Sequence, residues 1–286
     1  MLRIPLPPGL VEQAAAYASG ELEAAEPRNA ATVVLLREGT SAGPEVYLLR
    51  RQASMAFAAG MCVFPGGGVD PRDFDADVAW AGPSPESWAT RLGTDEATAR
   101  ALVCAAVRET FEESGVLLAG PSPSSVVSDT TGADWESDRV ALEGRSLSFT
   151  SFLDRRGLVL RSDLLGAWSG WLTPVFEPRR YRTWFFVAVL PAGQITRDVS
   201  TESSSVTWLG ALDAAASVDA GDLLMLPPTY LTCLEVGLFG SPKDVLAAAL
   251  DRQPVEMFMP EVEGSGDTAS LSIPESLRAL VERRLS

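Results

Sequence analysis

Apolar residues in this chain follow two spacings, which predict two kinds of element. The runs "ATVVLLRE" and "EVYLLRR" are short and rich in aliphatic residues, and the turn-forming segment "GTSAGP" lies between them, so we expect two strands. From Ala97 to Phe111 the apolar positions instead recur at roughly helical spacing. We expect a helix there with Thr94 as its N-cap and Gly115 at its end.

Strands and helices interleave along the rest of the chain. This order favours one α/β domain over residues 1–286, with helices on both sides of a mixed sheet. The domain core covers about 30–262, the acidic and aperiodic stretch 71–93 is interpreted as a loop insertion, and 120–145 as a polar connector. Further helices are predicted near 8–24, 149–156, 210–217, 227–239, 242–251 and 274–285, and further strands near 170–176, 183–190 and 205–209.

The composition narrows the chemistry more than the fold. A formal net charge of −15 would repel nucleic acid over most of the surface. The chain has no histidine, which excludes histidine-based triads and histidine-ligated zinc and leaves acid–base work to carboxylates, tyrosine, the single lysine or metal-bound water. Three separated cysteines, no secretory leader and no apolar run of about 20 residues predict a cytoplasmic protein without a membrane partner.

The segment "RETFEESGV", residues 108–116, carries the strongest chemical signal. Each residue of a helix advances by about 100°, so Glu109, Glu112 and Glu113 share one face. Three carboxylates so close repel one another, but they form a cluster of hard oxygen ligands suited to Mg²⁺ or Mn²⁺. An ordinary solvated acidic face is the alternative. The glycines at 66–68 favour the metal site, because bare backbone after an apolar strand can approach a ligand.

These features resemble the signature of the Nudix hydrolases, G-x5-E-x7-R-E-U-x-E-E-x-G-U, in which U is a bulky aliphatic residue. The second half of the signature is present almost unchanged and is its more specific half. The residues that match it are Arg108, Glu109, Glu112, Glu113, Gly115 and Val116.

The first half of the signature is interrupted. Gly67 and Arg108 lie 41 positions apart where the signature has 14, so 27 residues are inserted. Arg100 stands eight positions before Arg108, where the first glutamate is expected, and Thr110 replaces an aliphatic residue. An interrupted signature is typical of the peroxisomal coenzyme A diphosphatase group, nucleoside diphosphate-linked moiety X motif nineteen. Segments such as "FAAGMCVFPGG" and "WLTPVFEPRRYRTWFFVAVLP" also resemble that group, from about residue 30 to about 262.

The resemblance implies a fold, a reaction and a set of site residues. The fold is the Nudix α/β/α sandwich with a mixed sheet, here with N- and C-terminal helical extensions, and the reaction is hydrolysis of a diphosphate linked to a second moiety. The resemblance also implies Mg²⁺ or Mn²⁺ at the glutamates, an arginine that orients one of them, and a further carboxylate that acts as base or ligand. The metal would be held by Glu109, Glu113, Glu112 and the Gly67 carbonyl; Glu112, Glu113, Arg108 and Glu202 would be catalytic, with Asp198 as the other candidate outside the signature.

The substrate is less well indicated than the reaction. A motif that coenzyme A–cleaving Nudix enzymes often carry is only partly kept: Arg51 and the Phe64–Gly67 segment match it, but Gln52, Ala56 and Ala58 replace Ser, Arg and His. Arg51 is therefore a candidate for binding the nucleotide, as are Arg180 and Arg182, which follow Arg179.

Three functions stay open: a coenzyme A or acyl-coenzyme A diphosphatase, a Nudix pyrophosphatase on NADH, ADP-ribose or a dinucleotide polyphosphate, and a Nudix nucleotide-binding module without turnover. The module is motivated by Arg100 and by the long insertion. In the first two cases the partner is a small nucleotide diphosphate. The sequence leaves the oligomeric state open, with a homodimer as one option.

Overall fold

The structure is a computed structural model that describes residues 8–39, 43–54, 58–264 and 269–285. The chain forms two compact units: a larger one of Ala30–Ser169 and Trp184–Glu256, and a smaller one made of the described residues within 1–29, 170–183 and 257–286. The chain passes between the units several times. This division neither confirms nor contradicts the predicted single domain over 1–286, because the chain enters and leaves each unit more than once.

Helices and strands alternate through the described residues, as the α/β prediction requires. The helices are α1 Pro8–Ala18, α2 Pro85–Leu92, α3 Glu96–Ser114, α4 Ala133–Glu143, α5 Phe149–Arg156, α6 Ala211–Asp219, α7 Pro227–Val236, α8 Pro242–Asp251 and α9 Glu275–Leu285. The strands are β1 Arg28–Glu38, β2 Pro44–Arg51, β3 Cys62–Val63, β4 Gly66–Gly68, β5 Trp80–Ala81, β6 Ala119–Gly120, β7 Val159–Arg161, β8 Leu165–Leu172, β9 Tyr181–Val189, β10 Ser203–Gly210, β11 Met257–Phe258, β12 Val262–Glu263 and β13 Ser270–Leu271.

The larger unit is built on a sheet with the strand order β10-β2-β1-β9-β8. The β1 strand is central, and its residues Val33–Leu36 are fully buried, as expected for a strand covered on both faces. The short strand β4 pairs antiparallel with β1, which places Gly67 opposite Ala31. The β5, β7 and β6 strands form a separate small sheet. The glycine segment is thus held against the middle of the main sheet.

The α3 helix is buried on nearly all sides. Its residues from Ala101 to Val107 are almost entirely inaccessible, and it contacts α2, α4, β4 and the short 3₁₀ helix Pro71–Phe74. A helix in such a position is normally apolar all round. Arg108 and Glu112 are nevertheless buried within it, at 8% and 7% exposure. Charged groups are rarely kept there without partners, so these side chains need a specific explanation.

Residues 71–93 are not a loop, which corrects the prediction. They contain the 3₁₀ helix Pro71–Phe74, the strand β5 and the helix α2. The α2 helix begins after the N-cap Ser84, with Pro85 in its first turn, and buries Trp88 and Leu92 completely. Two apolar positions in an eight-residue helix are too few for a visible period. The Trp88 ring packs edge-on against Phe186, with ring centroids 5.8 Å apart.

The segment 120–145 is likewise more ordered than a polar connector. It contains β6 at its start and the helix α4. The apolar pattern of α4 is hidden because a charged residue, Arg139, occupies a buried position beside Leu142. The buried guanidinium is hydrogen-bonded to carboxylate and carbonyl groups, as buried polar groups normally are.

The smaller unit contains the terminal helices. The α9 helix begins one residue after the start of the predicted 274–285 and ends where predicted. The α1 helix ends six residues before the end of the predicted 8–24. The α1 helix stops early because Gly20 adopts a left-handed φ of 78° and Glu21 N–H donates back to the Ala16 carbonyl. In this unit β11 pairs in parallel with the end of β8, and β12 pairs antiparallel with β13. No helix in the described parts of the chain is long and apolar enough to cross a membrane.

Candidate active site

The glutamate segment occupies the last two turns of α3. The helix begins after Asp95, whose side chain accepts a 2.9 Å hydrogen bond from Thr98 N–H, so the N-cap is one residue later than predicted. It ends at Gly115, as predicted, where a left-handed φ of 74° closes the helix and Gly115 N–H donates to the Phe111 carbonyl. The cap fixes the position of the carboxylates relative to the strands that follow.

Each glycine of β4 contacts a different charged residue of α3. Gly66 N–H donates to Glu113 Oε2 at 2.7 Å, and the Gly68 carbonyl accepts from Arg108 Nη2 at 3.0 Å. A Cβ added to Gly67 would lie 2.5 Å from the Glu109 carboxylate. Residue 67 must therefore be glycine for Glu109 to keep its place. The glycine segment and the glutamate helix are therefore in direct contact, although their motifs lie far apart in the sequence.

Arg108 lies at the centre of this site with all five of its N–H groups paired. Its Nη1 donates to Glu109 Oε1 at 2.7 Å and to Glu112 Oε1 at 3.2 Å. Its Nη2 donates to Gly68 O and to Asp73 Oδ2, the latter at 2.9 Å, and its Nε donates to Asp73 Oδ1 at 3.0 Å. A guanidinium offers only five donors. Arg108 thus bonds to two glutamates of α3 and keeps no donor for a ligand, and its orienting role in a metal site stays a prediction of the resemblance.

Asp73 is a site residue that the sequence analysis missed. The residue eight positions before Arg108 is Arg100, but its side chain donates to the Ala76 carbonyl at 3.4 Å and pairs with Glu96 at 3.5 Å. Counting forward from Gly67 by the G-x5-E spacing reaches residue 73, an aspartate. The spacing counted forward from Gly67 is therefore the sequence signal that identifies Asp73. The insertion follows Asp73 and does not displace it from the site.

The electrostatics of the cluster are dominated by burial. Desolvation raises the pKa of Glu109 and raises that of Glu113 well above its usual range, with the charges of neighbouring carboxylates adding to the effect. Desolvation and the charge of Glu109 also raise the pKa of Glu112 to about 7. Arg108 opposes the shifts of Glu109 and Glu112 but supplies a single positive charge, and Gly66 N–H and Arg51 oppose the shift of Glu113. The cluster has more carboxylates than it can neutralise.

The donor set fits a divalent cation. Glu109, Glu112 and Glu113, with the Gly67 carbonyl, offer only hard oxygen atoms, which Mg²⁺ and Mn²⁺ prefer. Within the described residues, no three His, Cys, Asp or Glu side chains are already grouped so that they could hold an ion. Glu109 instead bonds to Arg108 and Glu113 to Gly66 N–H. Binding an ion would require these carboxylates to turn toward a common point.

The loop before β10 brings a second acidic group to the glutamates. Glu202 is half exposed and forms a 3.1 Å ion pair with Arg51, and its charge contributes to the raised pKa of Glu109 and of Glu113. Asp198 accepts a 3.2 Å bond from Ser203 Oγ, and its charge adds to the burial that raises the pKa of Tyr47. The structure thus places Arg51 and Glu202 together. Both acids remain candidates for the carboxylate outside the signature.

A buried arginine connects the end of α3 to this loop. Arg139 of α4 donates to the Glu112 carbonyl at 2.7 Å and to Glu143 Oε2 at 3.0 Å. The other oxygen of Glu143 accepts from Thr201 N–H and from Thr201 Oγ1, at 3.1 and 2.6 Å. The glutamate helix and the residue that precedes Glu202 are therefore linked through one helix. The apolar pattern of residues 120–145 does not reveal this link, because Arg139 occupies a buried position of α4 that an apolar residue would otherwise mark.

The predicted arginines of the smaller unit have partners of their own. Arg180 is buried and donates to the carbonyls of Thr173 and Ala25, both at 3.0 Å. Arg182 Nη1 donates to Asn29 Oδ1 at 3.3 Å, and Arg179 is exposed. Their role in binding substrate stays a prediction. Of the departures from the coenzyme A motif, Ala56 lies outside the described residues, and Ala58 has a left-handed φ of 51°.

Comparison with solved structures identifies the class of protein. A Nudix hydrolase from Alicyclobacillus acidocaldarius is 24% identical, with a TM-score of 0.67, over 78% of this chain and 96% of that one. This likeness confirms the Nudix fold that the resemblance implied. The fold and the glutamate helix behind a glycine segment together define a Nudix domain.

The family can be stated more closely. A family model described as the NUDT19 Nudix domain matches residues 85–234, slightly more than half of the chain, and the chain belongs to this family. Two curated relatives are named acyl-coenzyme A diphosphatase NUDT19: the Xenopus laevis protein is 26% identical over 65% of this chain, and the Gallus gallus protein is 27% identical over 79%. The Caenorhabditis elegans putative nudix hydrolase 7 is 26% identical over 70%.

This chain covers different shares of those relatives. It spans 57% of the Caenorhabditis elegans protein, 58% of the Xenopus laevis protein and 72% of the Gallus gallus protein. The similarity to the NUDT19 group of coenzyme A diphosphatases, predicted from the interrupted signature, is confirmed by the family match.

Proposed function

We propose that this chain hydrolyses the diphosphate bridge of coenzyme A or an acyl-coenzyme A, with adenosine 3′,5′-bisphosphate and a 4′-phosphopantetheine as products. The observation that carries the proposal is the buried cluster in which Arg108 holds Glu109 and Glu112 beside the glycine segment. Burial disfavours the charged forms of these three neighbouring glutamates, and a bound cation would relieve that cost. The names of the curated relatives support the choice of substrate.

The cluster would hold Mg²⁺ or Mn²⁺ through Glu109, Glu113, Glu112 and the Gly67 carbonyl. When bound, the cation would withdraw negative charge from the diphosphate and lower the pKa of a water molecule. The chain itself positions the ligands: Arg108 orients two glutamates, and Gly66 N–H fixes the third. Glu202 is half exposed beside them and is the candidate that accepts the proton of the attacking water.

The assay for substrate is a panel offered with Mg²⁺ or Mn²⁺: coenzyme A, acetyl-coenzyme A, dephospho-coenzyme A, NADH, ADP-ribose and a diadenosine polyphosphate. Products are separated by chromatography and identified by mass. We expect the coenzyme A compounds to have the highest kcat/KM. Turnover of ADP-ribose with coenzyme A left intact would reject coenzyme A as the substrate but would keep the proposal of a Nudix pyrophosphatase.

Glu113→Gln tests the site itself. We expect a folded variant whose kcat falls at least about 100-fold, since altering even the supporting partners of a metal ligand costs 10- to 100-fold. Glu96→Gln is the matched control, because Glu96 lies on the same helix in the first turn and is exposed. If the folded Glu113→Gln variant had wild-type turnover, the assignment of the metal site to this helix would be excluded.

A second candidate function is a Nudix pyrophosphatase on another nucleotide, which the substitutions Gln52 and Ala58 in the coenzyme A motif favour. The third, a binding module, loses much of its motivation, because Asp73 supplies the acid that Arg100 was thought to have replaced. A cytoplasmic location, a lack of nucleic-acid and membrane partners, and the oligomeric state remain predictions of the sequence.

A further inference from the structure

We propose that Gln52 is the positioning residue for Glu202: it binds the main chain on both sides of Glu202 and so holds the carboxylate of this candidate base in place. The inference deepens the proposed function and rests on the role of Glu202 assigned there. Its basis is a set of hydrogen bonds from Gln52 to three successive carbonyls of the loop before β10.

Gln52 directly follows β2 and bonds to this loop with both its main chain and its side chain. Its N–H donates to the Glu202 carbonyl at 3.0 Å, which continues the pairing of β2 with β10 past the last residue of β2. Its Nε2 donates to the Thr201 carbonyl at 2.8 Å and, more weakly, to the Ser203 carbonyl at 3.4 Å. The carbonyls before, at and after Glu202 thus all accept from one residue.

The start of β10 is irregular at the point where Gln52 binds. The register of β10 against β2 shifts between Ser203 and Ser205, so Ser204 is an additional residue in the pairing. Such a bulge bends the strand and disrupts the ladder locally, and bulges are common beside active sites because they re-aim a side chain. Gln52 bonds to the residues on the far side of this bulge from the rest of β10. It therefore restrains the part of the strand that the bulge has loosened.

Arg51 and Gln52 act on different parts of Glu202. The Arg51 guanidinium pairs with the carboxylate at 3.1 Å, whereas Gln52 binds only the main chain. The carboxylate is half exposed, and an ion pair with an exposed group restrains it little. A general base must lie within hydrogen-bond reach of the water that it deprotonates. Gln52 therefore supplies a restraint on the main chain that Arg51 cannot supply.

The same contacts give a role to one departure from the coenzyme A motif. Gln52 stands where that motif has serine. A serine side chain is shorter and would not span the carbonyls on both sides of Glu202. The substitution therefore adds support for the loop, whichever nucleotide the site accepts.

The alternative is that Gln52 supports the fold of the loop without acting through the Glu202 carboxylate. A double-mutant cycle between residues 52 and 202 separates the two. Gln52→Met keeps the length of the side chain and removes its donors, and Gln52→Lys returns a donor of similar reach. Ser204→Ala is the matched control, because it removes a 3.2 Å bond from the Ser204 hydroxyl to the Arg50 carbonyl in the same strand pair. Folding is checked by circular dichroism, and kcat and KM are measured on the best substrate of the panel.

We expect Gln52→Met to lower kcat about tenfold or more, as misplacing a catalytic group does, with KM changed less than threefold. Gln52→Lys should recover kcat to within threefold of wild type, and Ser204→Ala should leave it unchanged. Glu202→Gln alone should lower kcat about 100-fold or more. Adding Gln52→Met to Glu202→Gln should lower kcat less than twofold further, because the base that Gln52 positions is already absent.

A folded Gln52→Met protein with wild-type kcat overturns the inference, and so does an equal loss of kcat on the wild-type and Glu202→Gln backgrounds. If Gln52→Met does not fold, Gln52→Glu, which has the same shape but lacks the donors, takes its place in the cycle, and the same two outcomes decide. Wild-type kcat in Glu202→Gln would reject the inference and the role of Glu202 but keep the hydrolase. Wild-type protein that turns over no compound of the panel would reject the proposed function, and this inference with it.

Discussion

Adding one methyl group to each glycine of the β4 strand in turn should separate stability from activity. In Gly67→Ala the new Cβ would lie 2.5–2.6 Å from all three atoms of the Glu109 carboxyl group. That group ends a flexible side chain, so it can move aside, and the fold survives. The move breaks the 2.7 Å bond from Arg108 Nη1 to Glu109.

The magnitude for Gly67→Ala follows from two opposing terms. A hydrogen bond between charged groups contributes about 1.5–3 kcal/mol, and replacing glycine lowers the entropy of the unfolded chain by about 0.4–1 kcal/mol. The free energy of unfolding should therefore fall by about 1–2 kcal/mol. Activity should fall much further, at least about 100-fold in kcat, because a proposed metal ligand is displaced.

The neighbouring glycines provide the comparison. In Gly66→Ala the Cβ would lie 2.5 Å from the Ala31 carbonyl oxygen and 2.7 Å from Thr32 Cα, which are backbone atoms of β1. They cannot move without disturbing the pairing of β4 with β1, so we expect a loss of stability of about 1–3 kcal/mol or more. In Gly68→Ala nothing lies within 4 Å of the Cβ, and the main-chain carbonyl that Arg108 uses is kept.

Urea unfolding and steady-state kinetics on the three alanine variants check this order. We expect Gly66→Ala to be the least stable, Gly67→Ala to be folded and nearly inactive, and Gly68→Ala to lie within threefold of wild type in kcat/KM. If Gly67→Ala and Gly68→Ala retained equal activity, the Glu109 carboxylate would not be needed where the structure places it, and the reasoning would fail.

Two further predictions concern stability. In protein freed of divalent ions by a chelator, burial raises the pKa of Glu112 from the ordinary 4.5 to about 7, so the folded state binds more protons than the unfolded state. The free energy of unfolding should therefore fall by up to about 3 kcal/mol as pH rises from 4.5 to 7. Urea unfolding at pH 5 and pH 8 measures the difference, which Glu112→Gln should reduce; an equal difference in that variant would contradict the pKa assignment. In Trp88→Ala the free energy of unfolding should fall by about 3–5 kcal/mol, because a fully buried indole is removed. In the control Leu238→Ala, at a position that is 63% exposed, it should change by less than about 0.5 kcal/mol. Similar losses in the two variants would show that α2 is not part of the core.

The sequence predicted most of the glutamate helix α3 and less of its surroundings. The positions of Arg108, Glu109 and Glu113 could be read because local spacing on one helix determines which side chains share a face. Gly115 was readable for a similar reason, since a left-handed cap strongly prefers glycine. These are short-range rules, and they held.

The partners supplied by distant segments could not be read in the same way. Asp73 was missed because the spacing was counted across the insertion from the wrong end. The helices α2 and α4 were missed because tertiary contacts stabilise them: α2 has two buried apolar residues, and α4 buries Arg139. Nothing in the local pattern shows that a buried arginine has the Glu112 carbonyl and Glu143 as partners. Only the fold brings them together.

The interruption after Asp73 also has a thermodynamic consequence. Between Asp73 and Arg108 the chain has 34 residues, where the uninterrupted signature has seven. If they were unstructured, closing the longer loop would cost about 1.4 kcal/mol more, by a cost that grows with the logarithm of length. The burial of one side chain the size of Trp88 contributes at least about 2–3 kcal/mol. The insertion is instead folded, and the burial of its own Trp88 offsets part of the cost of ordering it, so Asp73 and Arg108 meet without an unstructured loop between them.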